Sequence, residues 1–186
     1  MTDSARSTHA ESITQTQPTA DTQQFATATR TVTWQRPGQG DFTALAAMSG
    51  LEQLRSIEQG LMPRPPVMDT IDVCGFTAEE GRVVVEMQAQ EFHYNPLGGM
   101  HGGMIATLLD TAAGCSVHST LAVGEGYTSL DLTTKFLRAV TIDSGLLTCE
   151  GTVLQRGRRT ALAQAELRDE SGRLVARAMS SCLILS

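Results

Sequence analysis

The stretch best equipped for chemistry is Asn95-Pro96-Leu97-Gly98-Gly99-Met100-His101-Gly102-Gly103. It leads into a long apolar segment, Met104 to about Leu121, that reads as a buried helix and carries one carboxylate, Asp110. Glycines at a helix start let the backbone approach a ligand closely. The first N–H groups of a helix have no partner within it, and the helix dipole adds positive potential there. Such a terminus can bind a phosphate, or stabilise the oxyanion that forms on a carbonyl under attack. Phosphate binding finds little support in the spacing, because both the GxxxxGK[ST] and G-x-G-x-x-G patterns are absent. The plain alternative is that the glycines only permit a tight turn.

Asp110 moves the balance toward catalysis. It is flanked by Leu108, Leu109, Ala112 and Ala113 in an otherwise uncharged helix. Burying an unpaired charge is costly, so such an Asp is paired, faces a cavity, or is catalytic. Gly102 and Asp110 are eight residues apart, about 12 Å at helical rise. That is too far for both to touch one reacting carbonyl within a single chain. If they cooperate, Asp110 meets the Gly102 amide of a second copy, and catalysis requires a dimer.

The surrounding pattern shows what positions these groups. Residues 41–60 place Leu45, Met48, Leu51, Leu54 and Ile57 at helical spacing, with Gly60 as a stop. Pro63-Arg64-Pro65-Pro66 then reads as a rigid connector. Strands are predicted at Val67–Phe76 and Arg82–Gln90, joined by Ala78-Glu79-Glu80-Gly81. Four more follow the buried helix: Tyr127–Leu137, Leu146–Leu154, Thr160–Arg168 and Leu174–Leu185, with Gly157 and Asp169–Gly172 supplying turns. Strands and helices do not alternate, which disfavours a doubly wound parallel sheet. An α+β fold, a mostly antiparallel sheet around one central helix, fits this order. Within Tyr127–Leu137, period two puts Leu130, Leu132 and Phe136 on one face. Ser129, Asp131, Thr133 and Lys135 take the other, so Asp131 reads as a solvated carboxylate.

Composition sets the frame. The chain has 186 residues, 41% of them apolar, and a net charge of −6, so bulk nucleic-acid binding is not expected. No apolar run is long enough for a membrane span, and no basic start precedes an apolar stretch as in a secretory signal. Cys74, Cys115, Cys149 and Cys182 match no metal spacing and read as small buried hydrophobes in a reducing cytoplasm. Seventeen of the first 33 residues are Ser, Thr or Gln. Residues 1–38 therefore read as a disordered or loosely packed polar extension. Residues 39–62 read as an accessory amphipathic helix, and 63–186 as the main domain.

The combination resembles the hotdog-fold acyl-CoA thioesterases, of the phenylacetate-degradation type related to 4-hydroxybenzoyl-CoA thioesterases. The text that carries it is Asn95…His101-Gly102-Gly103…Leu109-Asp110-Thr111-Ala112, then Tyr127-Thr128-Ser129-Leu130-Asp131-Leu132, Phe136-Leu137-Arg138 and Arg156-Gly157-Arg158-Arg159-Thr160. It spans about residues 65–185. The resemblance implies hydrolysis of an acyl- or aryl-CoA thioester to free acid and CoA. It further implies a homodimer with shared sites, paired into a homotetramer. Gly102 N–H would polarise the thioester carbonyl, and Asp110 of the other subunit would serve as general base or as nucleophile. Asn95 would place water or thioester, His101 would orient the loop, and Ser129 would position Asp110 or water. Gly103, Arg156, Gly157, Arg158 and Arg159 would hold CoA. Residues 132–164 carry five cations against two carboxylates, which suits a polyanionic substrate. No metal is implied, and no cofactor beyond the CoA that the substrate brings. Two rivals remain: a hotdog enoyl-thioester hydratase, and a non-catalytic acyl-CoA-binding sensor.

Overall fold

Small side chains decide where the long helix lies. In the computed structural model, which describes residues 26–36 and 42–185, that helix is α4, Gly102–His118. Beneath it run β5 (Leu146–Arg156), β6 (Thr160–Arg168) and β7 (Leu174–Leu185). Their buried positions facing it include Cys149, Gly151, Ala163, Ala165, Ala176 and Ala178. At Gly151 the two backbones nearly touch: a Cβ there would stand 2.0 Å from the Ala112 carbonyl oxygen. Leu108, Leu109, Ala112, Ala113 and Val117 of α4 are wholly buried. Each such leucine contributes about 2 kcal/mol of transfer free energy.

The remaining elements complete one antiparallel sheet. They are β1 (Val73–Glu79), β2 (Arg82–Gln88), β3 (Gly126–Ser129) and β4 (Thr133–Phe136). The order is β1-β2-β5-β6-β7-β3, with β4 paired further along β7. This is the α+β arrangement expected. A tight turn between β6 and β7 is built on Asp169, whose carboxylate accepts from Ser171 N and Arg173 N and pairs with the Arg173 guanidinium.

Three local expectations are corrected. The helix expected over 41–60 is two: α1 (Phe42–Ala46) and α2 (Gly50–Glu58). Ser49 starts the second with a capping box, its Oγ accepting from Glu52 N while the Glu52 carboxylate accepts from Ser49 N at 2.7 Å. The strand expected from Val67 begins only at Val73, because Pro66 opens a short helix, α3 (Pro66–Thr70). Proline presets φ for a first helical position. The single strand expected over Tyr127–Leu137 is interrupted at residues 130–132, between β3 and β4.

The chain falls into two units, Met1–Thr31 and Val32–Ser186. Of the first, residues 26–31 are described and form neither helix nor strand. Most of the expected 1–38 extension lies outside the described residues. Of the cysteines, Cys149 and Cys182 are buried as expected, Cys115 is half-buried, and Cys74 is exposed.

Gly151→Ala tests the contact between helix and sheet. The added methyl overlaps the Ala112 carbonyl, so the variant should unfold about 3 kcal/mol more easily, read as the shift in urea midpoint. An unchanged midpoint would contradict the packing described.

Candidate active site

The loop ahead of α4 is held by its own backbone. Met100 N donates to Val140 O at 2.8 Å, Asn95 N to Gly99 O at 2.8 Å, and His101 N to His93 O at 2.8 Å. Asn95 Oδ1 accepts from Leu97 N at 2.8 Å, closing a turn. His93 is buried. Its Nδ1 accepts from Gln90 N at 3.2 Å, and its Nε2 lies 3.0 Å from Ile71 O. The accepting Nδ1 fixes the Nε2–H tautomer. His93 thus pins the loop from beneath, a role with no signature in sequence spacing.

His101 is the N-cap of α4, and its Nδ1 accepts from Gly103 N at 2.9 Å. The cap consumes the Gly103 N–H. Among the described residues no group accepts the Gly102 N–H. It opens on a groove of about 380 Å³ shared by Asn95, Gly102, Ile105, Phe136, Leu137 and Val140. The tip of the Phe136 ring packs on Gly102, 3.2 Å from where a Cβ would stand. Asn95 and Gly102 therefore meet at one groove, and His101 caps the helix beside it without lining it.

Asp110 lies two turns along the same helix, about 12 Å away. Its surroundings differ from the apolar setting its neighbours suggest. The sheet covers only the opposite face of α4, and the stripe holding Gly103 and Asp110 is exposed. Among the described residues Asp110 makes no hydrogen bond or ion pair. Burial, with the Asp110 charge adding to it, pushes the nearby Cys115 thiol up to about 12. Cys115 is thus a neutral thiol at physiological pH, not a nucleophile. The Asp110 carboxylate is exposed and unpartnered among the described residues.

Ser129 stands on the helix side of the sheet. It is registered opposite Cys182, while Phe136 is opposite Ala176. Cys182 and Ala176 are both buried facing α4. The pairing shifts by one residue between β3 and β4, and such a slip flips side-chain parity. Ser129 and Phe136 therefore share a face that uninterrupted alternation would deny them. Leu130 swings out and is 59% exposed. Asp131 holds the irregularity, its Oδ1 accepting from Ser181 N at 2.9 Å and its carbonyl from Ser180 Oγ at 2.8 Å. It is exposed, as expected, and it also serves as an acceptor for β7.

The arginines divide. Arg156 pairs with Glu125 at 2.8 Å and bonds the Gly157 carbonyl, so both its terminal nitrogens are engaged while its buried Nε has no partner among the described residues. Gly157 N donates to Thr160 O at 2.8 Å. Arg158 and Arg159 are exposed and line a second groove, about 660 Å³, with Glu125, Leu183, Ile184 and Leu185.

Residues 97–176 match the thioesterase superfamily, a span that contains Gly102, Asp110, Ser129 and the Arg156–Arg159 turn. The chain carries a thioesterase-superfamily domain. Human acyl-coenzyme A thioesterase 13 is 28% identical over 101 residues, 54% of this chain and 71% of the relative. The 1,4-dihydroxy-2-naphthoyl-CoA hydrolase of Listeria monocytogenes is 25% identical over 118 residues, 63% and 93% of the two chains. The crystal structure of a phenylacetic acid degradation-related protein from Ralstonia eutropha superposes with a TM-score of 0.64 at 29% identity. It covers 70% of this chain and 98% of its own. The helix-in-sheet architecture of this thioesterase-superfamily domain is the hotdog fold.

Asp131 separates structural from chemical use of a carboxylate in this domain. Asp131→Asn keeps the Oδ1 acceptor and should retain thioester hydrolysis. Asp131→Ala leaves Ser181 N–H without its partner and should cost about 1–3 kcal/mol of stability. Loss of hydrolysis in a folded Asp131→Asn would instead assign Asp131 to the chemistry.

Proposed function

We propose that the chain hydrolyses an acyl- or aryl-CoA thioester, acting as a homodimer in which each site joins Gly102 of one protomer to Asp110 of the other. The observation that carries this is the separation of two complementary groups on one helix. An unused N–H opens on a groove at Gly102, and an unpartnered carboxylate stands exposed about 12 Å away. Each is half of a hydrolytic site, and a second copy supplies the other half. The names of the human and Listeria relatives support CoA thioesters as the substrate class.

The chemistry then runs as follows. The thioester carbonyl accepts from Gly102 N–H, where the dipole of α4 favours the oxyanion. Asp110 takes a proton from the water that attacks the carbonyl carbon. In the alternative course its carboxylate attacks directly, and water then opens the mixed anhydride. The C–S bond breaks, the acid remains, and CoA leaves as a thiolate that regains a proton. Asn95, in the groove beside Gly102, places the water or thioester. His101 fixes the first turn, and Ser129 orients Asp110 or water. Arg158 and Arg159, free where Arg156 is not, meet the CoA phosphates. Exposed Phe136 at the end of β4, with Leu130 and Leu137 on either side of that strand, supplies apolar surface for a second copy to cover. A dimer of such dimers completes a homotetramer. Four free thiols suit a reducing cytoplasm, and among the described residues no helix is long and apolar enough to cross a membrane.

Thiol release across a panel of acyl- and aryl-CoAs tests the reading. CoA should be released by the native chain. Asp110→Ala should bind the same compounds without releasing CoA. Gly102→Pro, which deletes one N–H at a position where proline suits a helix, should lower kcat about 100- to 1000-fold. Binding without turnover in the native chain would favour a sensor. Loss of a double bond without CoA release would favour a hydratase.

A further inference from the structure

The chemistry above leaves the phenol of Tyr127 and the helix behind it unused. Tyr127 lies two residues before Ser129 in β3, opposite Ile184, and so shares its helix-facing side. Its phenol is pressed onto α4 at Gly114, where a Cβ would stand 2.5 Å from Tyr127 Oη and 3.3 Å from Cζ. Gly114 is one turn beyond Asp110 on the same stripe of α4. That stripe is exposed at Gly103 and Asp110 but buried at Gly114. Tyr127 is what closes it.

The ring is also backed from behind. It meets His118 edge-on, with ring centroids 5.8 Å apart at 64°. His118 Nε2 lies 3.0 Å from Gln53 Oε1 of α2. Gly50, the first residue of α2, abuts the His118 carbonyl so closely that a Cβ there would stand 1.8 Å from its oxygen. Gln53 is held in turn, its Nε2 donating to Leu45 O and Met48 O at 3.2 Å each. The phenol is thus wedged between Gly114 and His118, with α2 preventing His118 from giving way.

We propose that Tyr127 is the end wall of the acyl site, its phenol limiting the length of acyl group that the enzyme accepts. The inference rests on the thioester-hydrolase reading and adds what bounds the substrate. From Asp110 to Gly114 the helix rises about 6 Å. That admits a short chain or a single ring beyond the reacting carbonyl and stops a long chain. Burial, followed by the nearby Cys115, Cys182 and Asp110, raises the pKa of the phenol, so the wall carries no charge against an apolar acyl group. The accessory helix α2 acquires a purpose as the support of that wall.

The test compares the full-length chain with Tyr127→Phe, Tyr127→Leu and Tyr127→Ala on CoA esters graded from acetyl to dodecanoyl. Each is read as CoA release and as binding by calorimetry. Tyr127→Phe keeps the ring and should keep the native length limit. Tyr127→Ala should raise kcat/KM for long relative to short acyl groups by about tenfold or more. Tyr127→Leu carries the same comparison if the alanine variant does not fold, with a smaller shift. A native length limit unchanged in a folded Ala or Leu variant overturns the wall while leaving hydrolysis intact. Absence of CoA release by the native chain instead defeats the hydrolase reading. The wall is then decided by the same length ratio in binding.

Discussion

The structure depends on how closely one helix can lie on one sheet. Gly151 lets the backbone of α4 rest on β5, and alanines on β6 and β7 leave a trough for its leucines. Interiors are packed without spare volume, so the depth of this seat fixes the position of the whole helix. Both groups proposed for the chemistry ride on it. The Gly102 amide and the Asp110 carboxylate cannot move independently, and their spacing is set by helical rise alone. The same rigidity that holds them keeps them apart. The proposed pairing of the two groups therefore requires an interface between protomers.

The edge of the sheet supplies the second constraint. An uninterrupted strand over 127–137 could not place both Ser129 and Phe136 toward α4. The one-residue slip between β3 and β4 does so, and Asp131 stabilises it by accepting from β7. The slip brings Ser129 to the side where Asp110 lies, Phe136 against Gly102, and Tyr127 against Gly114. It turns Leu130 outward onto the surface proposed to receive the second copy. One irregularity therefore serves both the candidate site and the proposed assembly.

Much of this was legible in the residues. The glycine-rich approach to α4 and the alternation in β6 and β7 marked helix start and strands, because those signals are local. Gly102 and Asp110 stood out for the same reason. What could not be read was set by partners distant in sequence. The exposure of Asp110 follows from the sheet covering only one face of α4. The engagement of Arg156 depends on Glu125, 31 residues earlier. His93 gains its role from Ile71 and His101. The parity of Ser129 is decided by pairing with β7, and a single strand's alternation carries no record of that register. Val67 and Met68 resemble strand residues, yet Pro66 ahead of them starts a helix.

A site built from two protomers, as proposed, is open to test with mixed dimers. Asp110→Ala and Gly102→Pro subunits, each inactive alone, are combined under conditions that exchange protomers. Thioester hydrolysis should return, because each mixed dimer holds one site with both an intact Gly102 amide and an intact Asp110. Absence of activity in mixed dimers whose formation is proven by mass spectrometry would contradict it.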